Sequence, residues 1–187
     1  MDPTETKYTR VEYERRFLVS PRADWRSAVE PHSKTFEDKY LVGTRLRLRI
    51  QTDTDTGRRL IKLHKKLESP SPYFRTIGRI LLSPVEYEIL DGAEGHRLNK
   101  TRYYHRCSGR VFSIDVFEGE LAGLVLCETE AEGLDELMLI EPPAYAEREV
   151  TEDPFFTGGN LCRTPRADLL RKLSLNENTV LRSPRSS

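Results

Sequence analysis

The sequence contains only three cysteines, Cys107, Cys127 and Cys162, and no pair of them has CxxC spacing. An odd count without such spacing argues against a disulfide framework and suits a reducing cytoplasm. No run of about 18 apolar residues occurs, so no membrane-spanning helix is expected. The opening MDPTETKYTR is polar and does not read as a secretory signal. The four histidines, His32, His64, His96 and His105, show no metal-ligand spacing, and a zinc site is not expected. Gly158-Gly159 is too short for a phosphate-cradling loop and reads as a turn. There is no internal repeat and no linker, which leaves one domain. Net charge is also missing: 30 Lys+Arg balance 30 Asp+Glu. That balance argues against a nucleic-acid binder working through bulk charge and against an acidic solubilising chain.

Charge itself is abundant, at 32% of residues, and it is segregated. Residues 44–110 carry 15 basic and 7 acidic side chains, whereas 111–153 carry 1 basic and 13 acidic ones. A solvated surface normally intersperses the two signs. The two blocks therefore need a structural reason.

Periodicity predicts a chain of strands with a few short helices. Strands are expected over 9–19, 44–51, 59–67, 74–82, 97–106, 111–118 and 121–132, with a turn at 52–57 and a loop at 68–72. Helices are expected over 21–30, with Pro21 in its first turn, after Ser83-Pro84 as N-cap and N1, over 134–140 and over 166–173. Residues 1–8 are expected to be flexible and 174–187 disordered. Trp25 is expected to anchor the first helix.

Alternate side chains of a strand share a face. One face collects Glu12, Glu14 and Arg16, another Arg45, Arg47 and Arg49, and a third Lys62, His64 and Lys66. The next faces carry Lys100, Arg102 and Tyr104, then Ser113 and Asp115, then Glu128, Glu130 and Glu132. Two readings are open. Either an antiparallel sheet buries its apolar face and solvates its charged one, or the sheet closes into a barrel with the charges inside. Enclosed charges need partners, and a polyanion on the basic wall with a divalent cation on the carboxylates would supply them. Arginine forks match phosphate oxygens, and Mg²⁺ commonly bridges carboxylates to phosphates.

Glu12-Tyr13-Glu14-Arg15-Arg16 resembles the ExExK strand of the CYTH, or triphosphate tunnel metalloenzyme, superfamily. The series continues in family order through Lys39-Tyr40-Leu41, Thr44-Arg45-Leu46-Arg47, Lys62-Leu63 with Lys66, and Leu98, Lys100 and Arg102. It ends in Ile114-Asp115-Val116-Phe117-Glu118-Gly119, Gly123-Leu124-Val125, Glu128-Thr129-Glu130 and Glu149-Val150-Thr151. The resemblance covers residues 9–173. It implies a mainly β (α+β) fold, a closed eight-stranded antiparallel barrel forming a tunnel, with peripheral helices.

By position, the resemblance makes Arg45, Arg47, Lys62, Lys66, Lys100 and Arg102 phosphate-wall residues, with Arg171 or Lys172 capping a terminal phosphate. Glu12, Glu14, Asp115, Glu128 and Glu130 become the carboxylates for Mg²⁺ or Mn²⁺ and for positioning water. Tyr40 matches the family tyrosine near the tunnel mouth. Two departures stand out. Arg16 replaces the motif lysine and, with a pKa above about 12, cannot accept a proton. The fifth strand offers only Arg75 and Arg79 where the family often has an R-x-E-x-E pattern; Glu86 and Glu88 read as helix surface.

The expected function is hydrolysis of a small triphosphate, inorganic tripolyphosphate first, with thiamine triphosphatase and class IV adenylyl cyclase as further possibilities. The rival is a non-catalytic polyphosphate- or nucleotide-binding module weakened by Arg16. The expected partner is a triphosphate-containing small molecule, without nucleic acid or membrane, for a cytoplasmic monomer or homodimer.

Overall fold

The computed structural model describes residues 8–20 and 22–180, with side chains through residue 174. Nine strands form one sheet: β1 (Thr9–Val19), β2 (Ser33–Leu41), β3 (Leu46–Asp53), β4 (Arg59–Lys66), β5 (Phe74–Leu81), β6 (Gly95–Cys107), β7 (Arg110–Phe117), β8 (Val125–Ala131) and β9 (Ala146–Glu149). The order is β5-β4-β3-β2-β6-β7-β8-β1-β9, and β1 pairs additionally with β5. That pairing closes eight antiparallel strands into a barrel and leaves β9 as an extra strand on β1. Closure is possible because β1 changes neighbour along its length. Thr9–Tyr13 pairs with β5, while Phe17–Val19 pairs with β9 on the same edge.

Among the described residues four helices decorate the barrel: α1 (Pro84–Asp91), α2 (Leu134–Met138), α3 (Gly158–Leu161) and α4 (Arg166–Val180). Ser83 caps α1 as the sequence predicts, and Glu86 completes a capping box by accepting the Ser83 N–H at 2.7 Å. Glu86 is thus committed to the helix start.

Register explains the charge blocks. Even positions of β1, β2, β4, β6 and β8 and odd positions of β3, β5 and β7 point inward, and these carry the charges. Apolar alternates point outward, and those of β1, β7 and β8 are covered. Phe17, Val19, Phe112, Ile114 and Cys127 pack with Trp25, Leu137, Ile140 and Tyr145 outside β1, β7 and β8. A second cluster covers one end of the barrel, where Phe156, Leu161 and Leu169 meet inward-facing Leu98, Phe117 and Leu126.

Several expected bounds shift. The helix expected over 21–30 is a single 3-10 turn, Arg26–Ala28. Asp24 and Ser27 bond each other's backbone there (Asp24 Oδ1 to Ser27 N, 3.3 Å; Ser27 Oγ to Asp24 O, 3.1 Å), a local alternative to helix. Trp25 is nonetheless buried as an anchor, beside Tyr103. Pro21 lies outside the described residues. The strand expected to begin at Thr44 begins at Leu46, because Gly43 turns with φ 71° and the Thr44 hydroxyl accepts from the Leu46 N–H. The strand expected over 121–132 begins at Val125, after a 3-10 turn at Gly119–Leu121 and a positive-φ Gly123. β2 and β9 have no counterpart among the expected strands. Gly158-Gly159 opens a short helix instead of forming a turn. α4 continues to Val180, past the expected end at 173, and residues 1–7 and 181–187 lie outside the described residues. Among the described residues no helix is long and apolar enough to cross a membrane.

Candidate active site

The barrel encloses a cavity of about 260 Å³. Ten basic side chains line it: Arg16, Lys34, Arg47, Arg49, Lys62, Lys66, Arg75, Arg79, Lys100 and Arg102. Five carboxylates, Glu12, Glu14, Asp38, Glu128 and Glu130, line it too. The two-to-one excess makes the interior a net cationic site inside a low-dielectric wall, where anion binding is strongest.

One wall is neutralised internally. Arg16 Nε donates to Glu128 Oε1 at 3.0 Å, and its Nη2 also pairs with Glu14. Arg102 donates to the other Glu128 oxygen at 2.6 Å and to both Asp115 oxygens at 2.6 and 2.7 Å, and Lys100 pairs with Asp115 as well. These contacts make a continuous chain of ion pairs from β1 through β8 and β6 to β7. Flanked by cations, Glu128 is held well below the usual carboxylate range despite its burial.

The β2–β3 wall has a second buried pair. Arg49 grips both Asp38 oxygens at 2.6 Å, with Arg47 at 3.6 Å. These cations hold Asp38 below the normal range against the cost of its burial. Arg47 also donates to the Tyr40 hydroxyl at 3.4 Å and sits 3.3 Å from His64 Nδ1, while its Nε is buried with no partner among the described residues. Burial, then Arg47 and Arg49, push His64 down, so it lines the tunnel as neutral imidazole.

β4 supplies two cations, Lys62 and Lys66, that have no carboxylate ion pair among the described residues. Lys62 donates to Gln51 at 2.8 Å; burial and the neighbours Arg79, Arg49 and Lys34 lower its pKa to about 8. Lys66 is lowered to about 7 by burial, Arg47 and Arg75, with only partial relief from Glu14. Both are amines short of negative charge, which a polyanion would supply.

The carboxylates have the reverse problem at one place. Glu14 is directly opposite Glu130 in the β1–β8 register, and Glu12 lies two residues away on the same face. Burial and then repulsion from Glu12 and Glu14 push Glu130 up to about 7; burial and Glu128 raise Glu14. Like charges placed opposite each other are destabilising, and a hard divalent cation would relieve them. Among the described residues no three His, Cys, Asp or Glu side chains already converge in a metal-ready arrangement. The donor chemistry therefore fits a cation that takes one or two carboxylates here and fills its shell with phosphate oxygens and water.

The structure brings most of the sequence-derived residues together: Glu12, Glu14, Arg16, Tyr40, Arg47, Lys62, Lys66, Lys100, Arg102, Glu128 and Glu130 all line the cavity. Three lie elsewhere. Arg45 precedes β3, is exposed and pairs with Glu68, so the strand shift takes it off the phosphate wall. Lys172 is turned to Asp153 at 2.8 Å and to the Phe155 ring, outside the tunnel; Arg171 pairs with Asp168 on the surface. Asp115 points inward but is fully buried beneath Lys100 and Arg102, which engage both its oxygens. Tyr40, expected near the mouth, sits instead at the end covered by α3. Asp38, Lys34, Gln51 and Gly158 were missed. An unrecognised β2 hid the alternation Lys34, Phe36, Asp38, Tyr40, the signal that would have found two of them, Lys34 and Asp38.

A closed antiparallel barrel with this cationic interior has the architecture of CYTH-type tunnel proteins. No family model matches the chain. The inorganic triphosphatase of Nitrosomonas europaea is 32% identical over 148 residues, 76% of this chain and 90% of the relative. The inorganic triphosphatase of Acetivibrio thermocellus is 37% identical over 68 residues, 36% of this chain and 42% of that protein. The crystal structure of the inorganic triphosphatase NE1496 superimposes with a TM-score of 0.55 at 26% identity, covering 82% of this chain and 95% of that one. The chain belongs to the inorganic triphosphatase family of CYTH-type proteins.

Proposed function

We propose that the protein hydrolyses the terminal phosphoanhydride of a small triphosphate, with inorganic tripolyphosphate as its substrate. The observation that carries this reading is the excess of ten cations over five carboxylates around a cavity of about 260 Å³. The family relationship to inorganic triphosphatases supports the same reaction.

Arg47, Lys62 and Lys66, which lack full counter-charge, hold the phosphate chain. Arg75 and Arg79 flank it from β5. A divalent cation, Mg²⁺ or Mn²⁺, held by Glu14 and Glu130 with help from Glu12, would neutralise charge on the attacked phosphoryl group. Glu12 and Glu14 orient the water whose oxygen bonds to the terminal phosphorus as the P–O anhydride bond breaks and pyrophosphate leaves. The proton of that water goes to a carboxylate, because Arg16 stays charged. Arg16 fixes the geometry by holding Glu14 and Glu128 apart from free rotation.

One observation favours the non-catalytic alternative: Arg16 occupies part of the Glu14 carboxylate that the reaction needs. Phosphate release from tripolyphosphate, ATP and thiamine triphosphate, each with and without Mg²⁺ and Mn²⁺, separates the two. Metal-dependent release fastest from tripolyphosphate is the expected result. Tight binding with no release from any of the three would reject the enzyme.

A further inference from the structure

Gly158 opens α3 at the covered end of the barrel and faces the Tyr40 ring. A methyl group built on it would overlap the Tyr40 hydroxyl oxygen and stand 3.1 Å from Cζ. The same construction on Gly159 meets nothing within 4 Å. Only the first of the two glycines is therefore required by a close approach. Tyr40 has little room to retreat, since its ring packs against the cluster of Leu98, Phe117, Phe156 and Leu161.

The hydroxyl that Gly158 admits accepts a hydrogen bond from Arg47 Nη1 at 3.4 Å, and the guanidinium carbon stands 5.8 Å from the ring centroid. The remaining Arg47 contacts are Asp38 at 3.6 Å and His64 at 3.3 Å. Arg47 Nε, buried in the wall of an anion-binding cavity, has no partner among the described residues. A buried donor without an acceptor is costly, and a phosphate oxygen is the acceptor this tunnel is built to take.

We propose that Gly158 is a positioning residue for phosphate binding: by leaving space for the Tyr40 hydroxyl beside Arg47, it holds that guanidinium with its free Nε turned to the phosphate chain. Gly158 itself touches no substrate. This assignment rests on the tunnel binding tripolyphosphate, as proposed above. It adds a residue whose type is dictated by a tyrosine 118 positions earlier in the chain.

Calorimetric binding of tripolyphosphate without divalent metal, with KM and kcat measured alongside, tests the assignment in wild type and four variants. Gly158→Ala should weaken binding and raise KM about tenfold, the loss of one charge-assisted hydrogen bond, with a smaller change in kcat. Gly159→Ala should match wild type. In a Tyr40→Phe background the overlapping oxygen is gone, so adding Gly158→Ala should change binding by less than about twofold. An alanine that costs the same factor in both backgrounds, or that leaves wild-type affinity intact, overturns the assignment. Should Gly158→Ala alone fail to fold, the double variant decides: folding with Tyr40→Phe-like affinity supports the proposal, and failure to fold overturns it. A wild type that binds no tripolyphosphate would instead remove the proposed function itself, which separates the two failures.

Discussion

Glu14 and Glu130 face each other directly across the β1–β8 pair, two acids at one depth of the tunnel. Their proximity gives the metal-free protein a characteristic pH dependence. Glu130 keeps a proton in the folded state up to about pH 7, above its ordinary value of 4.5. The folded state thus binds more protons than the unfolded one between those values, and stability falls as pH rises through the window. Glu130 lines the tunnel but still reaches solvent, so screening keeps the effect modest, on the order of a few degrees in Tm. Thermal melts in chelator at pH 5, 6 and 7 should show the decline, and Glu130→Gln should flatten it. A wild type and variant with parallel curves would rule out this repulsion.

Glu128 lies two residues from Glu130 on the same strand face, yet the two should respond oppositely to neutralisation. Glu128 accepts from Arg16 and Arg102, so Glu128→Gln removes the charge these two largely buried guanidiniums share and leaves them only Glu14 and Asp115. That change should cost about 3 kcal/mol. Glu130→Gln removes a repelled charge and should be neutral or stabilising above pH 7. Urea denaturation at pH 7.5 in chelator measures both, and equal losses at the two positions would contradict the ion-pair chain seen here.

The contrast also marks how far the sequence was legible. That Glu12, Arg47, Lys62, Lys100 and Glu128 sit on charged strand faces could be read from alternation alone, since a period of two survives any barrel geometry; that those faces turn inward followed only from the family resemblance. Which charges neutralise each other could not be read. Asp115 and Arg102 are 13 residues apart, but Arg16 and Glu128 are 112 apart and meet only as register partners of the β1–β8 pair. The sequence reading also placed Arg45 by extending a pattern two residues beyond the strand, where Gly43 and Thr44 turn the chain. Asp38 escaped because β2 mixes Lys34, Phe36, Asp38 and Tyr40 inward with Lys39 outward, a pattern with no clean apolar alternate.

Asp38 should nevertheless be among the most sensitive positions. Its carboxylate, 2% exposed as a residue, offsets Arg49 and Arg47 together. Asp38→Asn leaves two buried guanidiniums facing each other and should cost about 3–5 kcal/mol. The linkage has a definite sign: because its folded pKa is depressed, the stability Asp38 contributes is present above about pH 4 and is lost as pH falls further. Acid titration of wild type against Asp38→Asn should show the stability gap closing below pH 4. A constant gap would mean that shape, and not charge, carries the loss.

Lys62 and Lys66 make the binding of tripolyphosphate a proton-linked event. With pKa values near 8 and 7 in the empty tunnel, both are partly neutral at pH 8. A bound polyanion favours their charged forms, so binding at pH 8 should take up protons, and affinity should fall as pH rises from 7 to 9. Calorimetry at pH 8 in two buffers of different ionisation enthalpy measures the uptake directly, without metal and without turnover. Lys66→Gln should reduce the uptake and weaken binding about tenfold. The same substitution should not destabilise the empty protein, because it removes an amine held between Arg47 and Arg75. Binding with no proton uptake in wild type would show that these lysines are already fully charged, and that the cationic wall is balanced by something other than the phosphate chain.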